Sequence, residues 1–204
     1  ESALKENKQI LSIVGGSKIS TKLKVIHNLL TNSSAIVVGG GIANTFLKAA
    51  GNPIGKSIFE DNMLDNAKEL LATNKIVLPK HAYVAATPQS IDVDLIPVED
   101  VPENKMILDI ELNENKISQN EEYIIWNGPL GIFEIDKFSN GTKQLIAFLE
   151  NSKSKVIAGG GETLFAINKF SDTSKFHYVS TAGGAFLEYL SGNKLPSIEA
   201  LRLK

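Results

Sequence analysis

The chain has 204 residues and not one cysteine. That excludes a disulfide framework, a thiol nucleophile and a thiolate metal site, and it suits a cytosolic protein. Arginine is almost as scarce: of 21 basic residues, all but Arg202 are lysines. Arginine is the preferred bidentate clamp for carboxylates and phosphates. A strongly anionic co-substrate would therefore have to be held by lysines, by backbone or by another polypeptide. No stretch approaches the roughly 20 apolar residues of a membrane span. The first residues, Glu1-Ser2-Ala3-Leu4-Lys5, carry no apolar signal region. They also lack an initiator methionine, which leads us to expect a chain processed or cut from something longer. A net charge of −2 argues against a general nucleic-acid binder. His27, His81 and His177 are scattered without metal-ligand spacing, and there is no Gly-x-Ser-x-Gly nucleophile elbow.

What the chain does have is a repeated junction. Short apolar runs stop in glycines and then read as helix starts. The three sharp cases are Leu11-Ser12-Ile13-Val14-Gly15-Gly16-Ser17-Lys18, Ala35-Ile36-Val37-Val38-Gly39-Gly40-Gly41 and Lys155-Val156-Ile157-Ala158-Gly159-Gly160-Gly161-Glu162. A softer copy is Tyr178-Val179-Ser180-Thr181-Ala182-Gly183-Gly184. A glycine end lets backbone approach a ligand, and the following helix aims free N–H groups at the same place. Several such junctions point to phosphate-binding loops along one edge of a sheet.

Strand-like runs fall near Ile10–Val14, Ala35–Val38, Lys75–Leu78, Met106–Leu108, Tyr123–Trp126, Val156–Ala158 and His177–Ser180, with one further short strand at Val93–Ile96. Helical stripes lie between most of them: Ile19, Leu23, Ile26, Leu29 and Leu30; Met63, Ala67, Leu70 and Leu71; Leu145, Phe148 and Leu149. Continuous apolar runs are buried on both faces, as in parallel sheets. Alternation with helices gives a three-layer, Rossmann-like α/β domain with a mainly parallel sheet. Nothing interrupts residues 1–204 as a linker, so one domain is expected.

Two phosphate-loop patterns fail on inspection. Ala50-Gly51-Asn52-Pro53-Ile54-Gly55-Lys56-Ser57 satisfies a permissive Walker A pattern. It follows a helical segment, however, and holds Pro53, so Gly51 reads as a helix C-cap. Gly39–Asn44 and Gly159–Leu164 both miss the third small residue of a dinucleotide fingerprint. Lys18 and Lys22, four apart, read as opening the first helix on one face. Cations at a helix N-terminus oppose the macrodipole. They are either solvated surface lysines or the partners of a polyphosphate, and the unfavourable placement favours the second. Glu162, in a first helical turn, is either a favourable helix-end charge or a contact to Mg²⁺. Trp126-Asn127-Gly128-Pro129 reads as a strand ending in a turn. Leu130, Ile132 and Phe133 are then candidate walls of a purine pocket and Glu134 a candidate ribose acceptor, against the plainer reading of a turn with buried aromatics.

Taken in order, these segments resemble the C-terminal, nucleotide-binding half of the bacterial phosphoglycerate kinases. The resemblance is carried by Gly15–Lys22, Val38–Phe46, Gly55-Lys56-Ser57, Trp126–Glu134, Gly159–Thr163 and Ser180–Glu188, and it runs along nearly the whole chain. It implies a kinase that transfers a phosphoryl group reversibly between 1,3-bisphosphoglycerate and ADP, with Mg²⁺ and ADP or ATP held by this half. An absent N-terminal half would hold phosphoglycerate with an arginine-rich patch, which fits the scarcity of arginine here. By motif match, Lys22 is similar to the lysine on the nucleotide phosphates, and Lys18 to the one that follows the phosphoryl group in flight. Gly16, Ser17, Gly40 and Gly41 would wall the adenine. Asn127 and Pro129 would be nearby nucleotide contacts, and Glu134 the ribose contact. Gly160, Gly161, Glu162 and Thr163 would meet the phosphates, Glu162 also the metal. Thr181, Gly183 and Gly184 would lie at the helix facing the transferring group, with Gly161 and Gly184 alongside Lys18 in catalysis. A monomeric, cytoplasmic protein is implied, without nucleic-acid or membrane partners.

There are departures from the family pattern. Glu162 stands where aspartate is usual, and Ala182 replaces a glycine. The segment from Asp109 to Trp126 is short and lacks the usual Gly-Pro, so a helix is expected to be truncated there and part of the adenine pocket altered. The alternative from another class is a catalytically silent nucleotide-binding or regulatory module. Alone, this half is expected to bind nucleotide and transfer almost nothing.

Overall fold

The run Ile10–Val14 (β1) is buried along its whole length. Exposing any one of its large apolar side chains would cost roughly 1.5–3 kcal/mol, and the run accordingly lies inside a sheet. The computed structural model describes residues 9–117, 120–195 and 200. Its larger sheet adds Ser33–Val38 (β2), Ile76–Val77 (β3), Tyr123–Asn127 (β7), Lys155–Gly159 (β8) and Tyr178–Ser180 (β9), in the order β3-β2-β1-β7-β8-β9. Every pairing in it is parallel. The chain therefore builds outward from β1 in one direction and from β7 in the other, and the order reverses between them. In doubly wound sheets, that reversal opens a crevice at the carboxyl ends of the strands.

Helices cover the sheet: Leu23–Asn32 (α1), Gly40–Ala49 (α2), Leu64–Leu71 (α3), Asn140–Asn151 (α4), Gly161–Phe170 (α5) and Gly183–Leu190 (α6). In α1 the inward stripe is Val25, Ile26 and Leu29. α2 is buried from Gly41 to Leu47, nearly all round, as its apolar composition requires. It stops in a Schellman motif: the Gly51 N–H reaches the Lys48 carbonyl and the Asn52 N–H that of Leu47, with Gly51 at φ +88°. The Walker-like segment is thus a helix ending. Its Gly55-Lys56-Ser57 part is stitched to a neighbouring strand instead of a phosphate. The Lys56 N–H donates to the Lys105 carbonyl at 2.7 Å, and the Ser57 hydroxyl accepts the Ile107 N–H at 2.8 Å.

That neighbouring strand belongs to a feature not expected from the sequence. His81–Ala85 (β4), Asp94–Pro97 (β5) and Met106–Ile110 (β6) form a second, antiparallel sheet in the order β5-β4-β6. Met106–Leu108 is therefore no member of the parallel sheet. The strand continues through Asp109, whose buried charge masked it in the sequence. Beyond it, the described part of the segment before β7 holds a single 3-10 turn, Glu114–Lys116, in place of a longer helix.

Lys18 and Lys22 do not open a helix together. α1 begins at Leu23, with Lys22 as its N-cap and Lys18 in the preceding turn. The turn is closed by the Lys22 N–H on the Ile19 carbonyl and is held from outside by Glu60. Among the described residues, no helix is long and apolar enough to cross a membrane.

Candidate functional site

A cleft of about 310 Å³ opens at the point where the strand order reverses. Gly16 and Ser17 after β1 and Gly40 and Gly41 at the start of α2 form one wall. Residues 106–110 of β6 form the second, and Pro129 to Ile132 with Glu134, after β7, complete it. β6 is fixed there from both sides: Ser57 holds Ile107, and the Leu108 carbonyl accepts the Ile132 N–H at 2.9 Å. Glu162 reaches the rim from α5. The cleft thus gathers Gly16, Ser17, Gly40, Gly41, Pro129, Glu134 and Glu162 from the residues singled out above.

Most of its lining is apolar, including Ile58, Met106, Leu108, Leu130 and Ile132, as a site for a planar aromatic group requires. Phe133 is not part of it. That ring is fully buried, 5.3 Å from Phe165 and 6.3 Å from Phe170, and belongs to the core. Trp126 is equally buried, its indole N–H donating to the Gly128 carbonyl at 2.8 Å.

The remaining candidates surround the cleft without lining it. Lys22 has folded back under the loops, where its Nζ donates to the Gly15 carbonyl at 2.7 Å and to the Asn127 carboxamide oxygen. Burial lowers its pKa to about 8, against the opposing charge of Glu162. Asn127 is 2% exposed, and its Nδ2 donates to the Gly159 carbonyl at 2.6 Å. Thr163 is fully buried and its Oγ1 accepts the Gly128 N–H at 2.8 Å. Asn127 and Thr163 therefore tie the first, third and Trp126-centred junctions to one another. Lys18 is exposed in its turn.

At the third and fourth junctions two helix N-termini meet. The Gly183 Cβ position lies 3.4 Å from the Gly161 nitrogen, while Gly161 and Gly184 face open space. Thr181 is exposed beside them. Ala182 takes φ −93°, which any L-residue adopts, so the position does not call for glycine on backbone grounds.

The glycines of the first two junctions have a second reason for being glycine. A Cβ on Gly15 would overlap the Pro129 carbonyl, and one on Gly41 the Ser17 carbonyl. The loops pack backbone on backbone, so part of the glycine signature serves loop-on-loop contact.

Sequence reasoning missed Asn44, Ile58, Pro88 and Asp109 as cleft residues. Asn44 had a faint signal, standing one helical turn after Gly40 where a small residue was expected. Asp109 had none. It is 1% exposed, its Oδ2 accepts the Gly141 N–H at 2.8 Å, and it caps α4 from another strand where Ser139 does not. Burial raises its pKa to about 7 against the amides of Gly141, Ile110 and Asn140 and the charge of Lys143.

Comparison with known proteins bears on the family. The sequence profile described as phosphoglycerate kinase matches residues 1–193. The phosphoglycerate kinase of Francisella philomiragia is 46% identical over all of this chain, and that of Psychrobacter cryohalolentis 42% identical over 95% of it. The chain spans about half the length of these relatives, 55% and 52% respectively. The solved phosphoglycerate kinase of Coxiella burnetii matches with a TM-score of 0.91 at 41% identity, over 99% of this chain and 56% of its own. That of Pyrococcus horikoshii matches with a TM-score of 0.82 at 27% identity, over 98% and 55%. A profile match over nearly the whole chain and a shared fold at this identity place the chain in the phosphoglycerate kinase family.

Proposed function

We propose that this chain is the nucleotide-binding half of a cytoplasmic, monomeric phosphoglycerate kinase. It takes Mg·ADP or Mg·ATP in the cleft between β1 and β7. Joined to an N-terminal half that holds the phosphoglycerate, it moves a phosphoryl group reversibly from 1,3-bisphosphoglycerate to ADP, yielding 3-phosphoglycerate and ATP in glycolysis. By itself it binds nucleotide and transfers next to nothing.

The observation that carries this reading is the cleft at the reversal of strand order, whose walls bring together Gly16, Ser17, Gly40, Gly41, Pro129, Glu134 and Glu162. The base lies among the apolar residues, Glu134 takes the ribose hydroxyls, and the phosphates run toward the paired N-termini of α5 and α6. Gly160, Gly161, Glu162 and Thr163 form that end, with Thr181, Gly183 and Gly184 opposite. Phosphoryl transfer needs positioning and charge neutralisation more than covalent chemistry. Helix N-termini, Lys22 and Lys18 supply these, Lys18 from an exposed turn that can follow the moving group.

Among the described residues, no group of three or more carboxylates and histidines could cage a metal. Glu162, at the rim of the cleft, would be the protein carboxylate that holds a nucleotide-borne Mg²⁺. The ion neutralises phosphate charge when bound. The alternative of a silent nucleotide-binding module leans on Ala182 and the short segment after Asp109. Ala182 is unstrained, and β6 still lines the cleft, so neither favours it.

Calorimetry of the 204-residue chain with Mg·ADP tests the binding claim, and absence of heat at millimolar nucleotide would sink it. Adding a phosphoglycerate-binding half and assaying ATP formation from 1,3-bisphosphoglycerate tests the transfer. Binding without transfer in that reconstituted protein would leave the silent module standing instead.

A further inference from the structure

Lys18 stands exposed on the turn before α1, and what holds that turn decides where its ammonium can reach. The inner side is anchored by the turn's own residues. Ile19 is fully buried, the Lys22 N–H closes on the Ile19 carbonyl at 2.9 Å, and the Lys22 Nζ reaches down to the Gly15 carbonyl. The outer side is open, with Lys18, Ser20 and Thr21 all exposed. There the Thr21 hydroxyl donates to the Lys18 carbonyl at 2.8 Å, a bond within the turn. The hold from outside comes from Glu60, whose carboxylate accepts both the Ser20 N–H and the Ser20 hydroxyl.

Glu60 is itself fastened to α2. Its N–H donates to Thr45 Oγ1 at 3.2 Å, and the buried Thr45 hydroxyl donates in turn to the Gly41 carbonyl at 2.9 Å. Two residues earlier, the Ile58 carbonyl accepts Asn44 Nδ2 at 3.1 Å. α2 walls the cleft, so the Lys18 turn is braced against the same helix that lines the site.

Charge makes this arrangement informative. The carboxylate attracts Lys18 and would repel an incoming phosphoryl group, which does not suit a lysine meant for phosphate. The plain reading is a surface carboxylate closing a loop, a contact worth little to stability. Both of its oxygens, however, go to Ser20, so it grips the turn beneath Lys18.

We propose that Glu60 is a positioning residue for phosphoryl transfer: by holding Ser20 it fixes the turn from which Lys18 reaches the moving group. This rests on the role given to Lys18 above. A lysine that follows a group in flight works from a base that stays still, and a small misplacement of such a group is costly in rate.

The test is steady-state ATP formation by the chain joined to its phosphoglycerate-binding half. Glu60→Gln should lower kcat about tenfold, well inside what a misplacement of about 1 Å costs. KM for Mg·ADP and the unfolding midpoint should stay as they were, which a merely structural role in α2 would not allow. Ser20→Ala, which keeps the backbone bond and loses the hydroxyl one, should lower kcat about threefold, the worth of one ordinary hydrogen bond. In a Lys18→Ala background Glu60→Gln should cost no further turnover, because residues that act as one unit are not additive. An unchanged kcat in Glu60→Gln overturns the proposal, and so does a loss that persists in full without Lys18. If Glu60→Gln fails to fold, Ser20→Ala decides, and unchanged turnover there overturns it. Absence of ATP formation by the unaltered protein removes the transfer reading itself, and this inference with it.

Discussion

The carboxylate of Glu60 grips Ser20 twice, accepting its backbone N–H at 2.8 Å and its hydroxyl at 2.6 Å. Slight burial would raise this carboxyl, but the bonds from Ser20 and the charge of Lys18 hold it below the usual range. The loop after α2 thereby fixes the turn that carries Lys18. Glu60→Gln should leave the unfolding midpoint almost unchanged, because the pair is largely exposed. Amide exchange at Ser20 should quicken by about tenfold as the turn opens more often. An unaltered exchange rate would mean that the turn holds itself.

Asn127 carries more weight, since it joins the Lys22 ammonium on one side to the Gly159 carbonyl on the other. Asn127→Ala leaves a largely buried cation short of a partner and a carbonyl without its donor. Roughly 2–3 kcal/mol of stability should be lost, read as a lower urea midpoint at constant slope. A loss under about 0.5 kcal/mol, the ordinary range for surface changes, would show that water replaces the side chain.

Two neighbouring glycines should separate structure from binding. Gly160 sits at φ +106°, and a Cβ there would lie 2.6 Å from Asn127 Nδ2. Gly161 begins α5 with nothing within 4 Å of its Cβ position. Gly160→Ala should therefore cost on the order of 1–3 kcal/mol of stability. Gly161→Ala should be neutral to within about 0.5 kcal/mol, yet weaken Mg·ADP, because the open space is where phosphate is proposed to lie. Thermal melts with calorimetry on both variants check the pair. Equal stability of the two would refute the contrast.

How far the sequence could be read follows from what each residue answers to. β1 and β7 are continuous apolar runs, because both their faces are buried, and such runs are visible without a structure. β4 is not. Ala82 and Val84 point inward while His81 and Tyr83 are half-buried, and its pairing with β6 shifts register between Tyr83 and Val84. Such a short alternation beside Pro79 and Pro88 looks like a connection. The small sheet that walls the cleft is therefore not legible in the sequence, where β6 reads as one more strand of the parallel sheet. The glycine junctions were legible as a set, but their partners were not. Gly15 needs its missing Cβ for Pro129, a residue 114 positions away, and no local pattern records that. Asp109 matters through Gly141, 32 positions on, and Asn44 through Ile58, 14 positions on, contacts that only a packed chain defines.

Ala182 offers a check on the backbone argument. Its φ of −93° is open to any L-residue, so glycine in its place gains nothing in the folded state and loosens the unfolded one. Ala182→Gly should lower stability by about 0.4–1 kcal/mol, the reverse of a compatible Gly→Ala change. A higher melting temperature would mean that the position is strained after all.

Asp109 gives the chain a dependence on pH whose sign can be stated in advance. Burial raises its pKa from an ordinary 3.8 to about 7. Between those values the folded chain keeps a proton that the unfolded chain has released. Stability then falls as pH rises through that window, because the folded state binds the more protons. Tyr83, Lys143 and the N-terminal amides of α4 face the carboxyl, and none of the three accounts for the rise as burial does. Asp109→Asn keeps an oxygen for the Gly141 N–H and removes the titration. Urea unfolding of both proteins at intervals from about pH 4 to pH 7 should show the difference in stability moving steadily in favour of asparagine. The total would be a few kcal/mol at about 1.4 kcal/mol per unit of displacement. A difference that stays flat across the window would mean that Asp109 is already ionised at the bottom of it, held by the α4 amides more firmly than burial opposes.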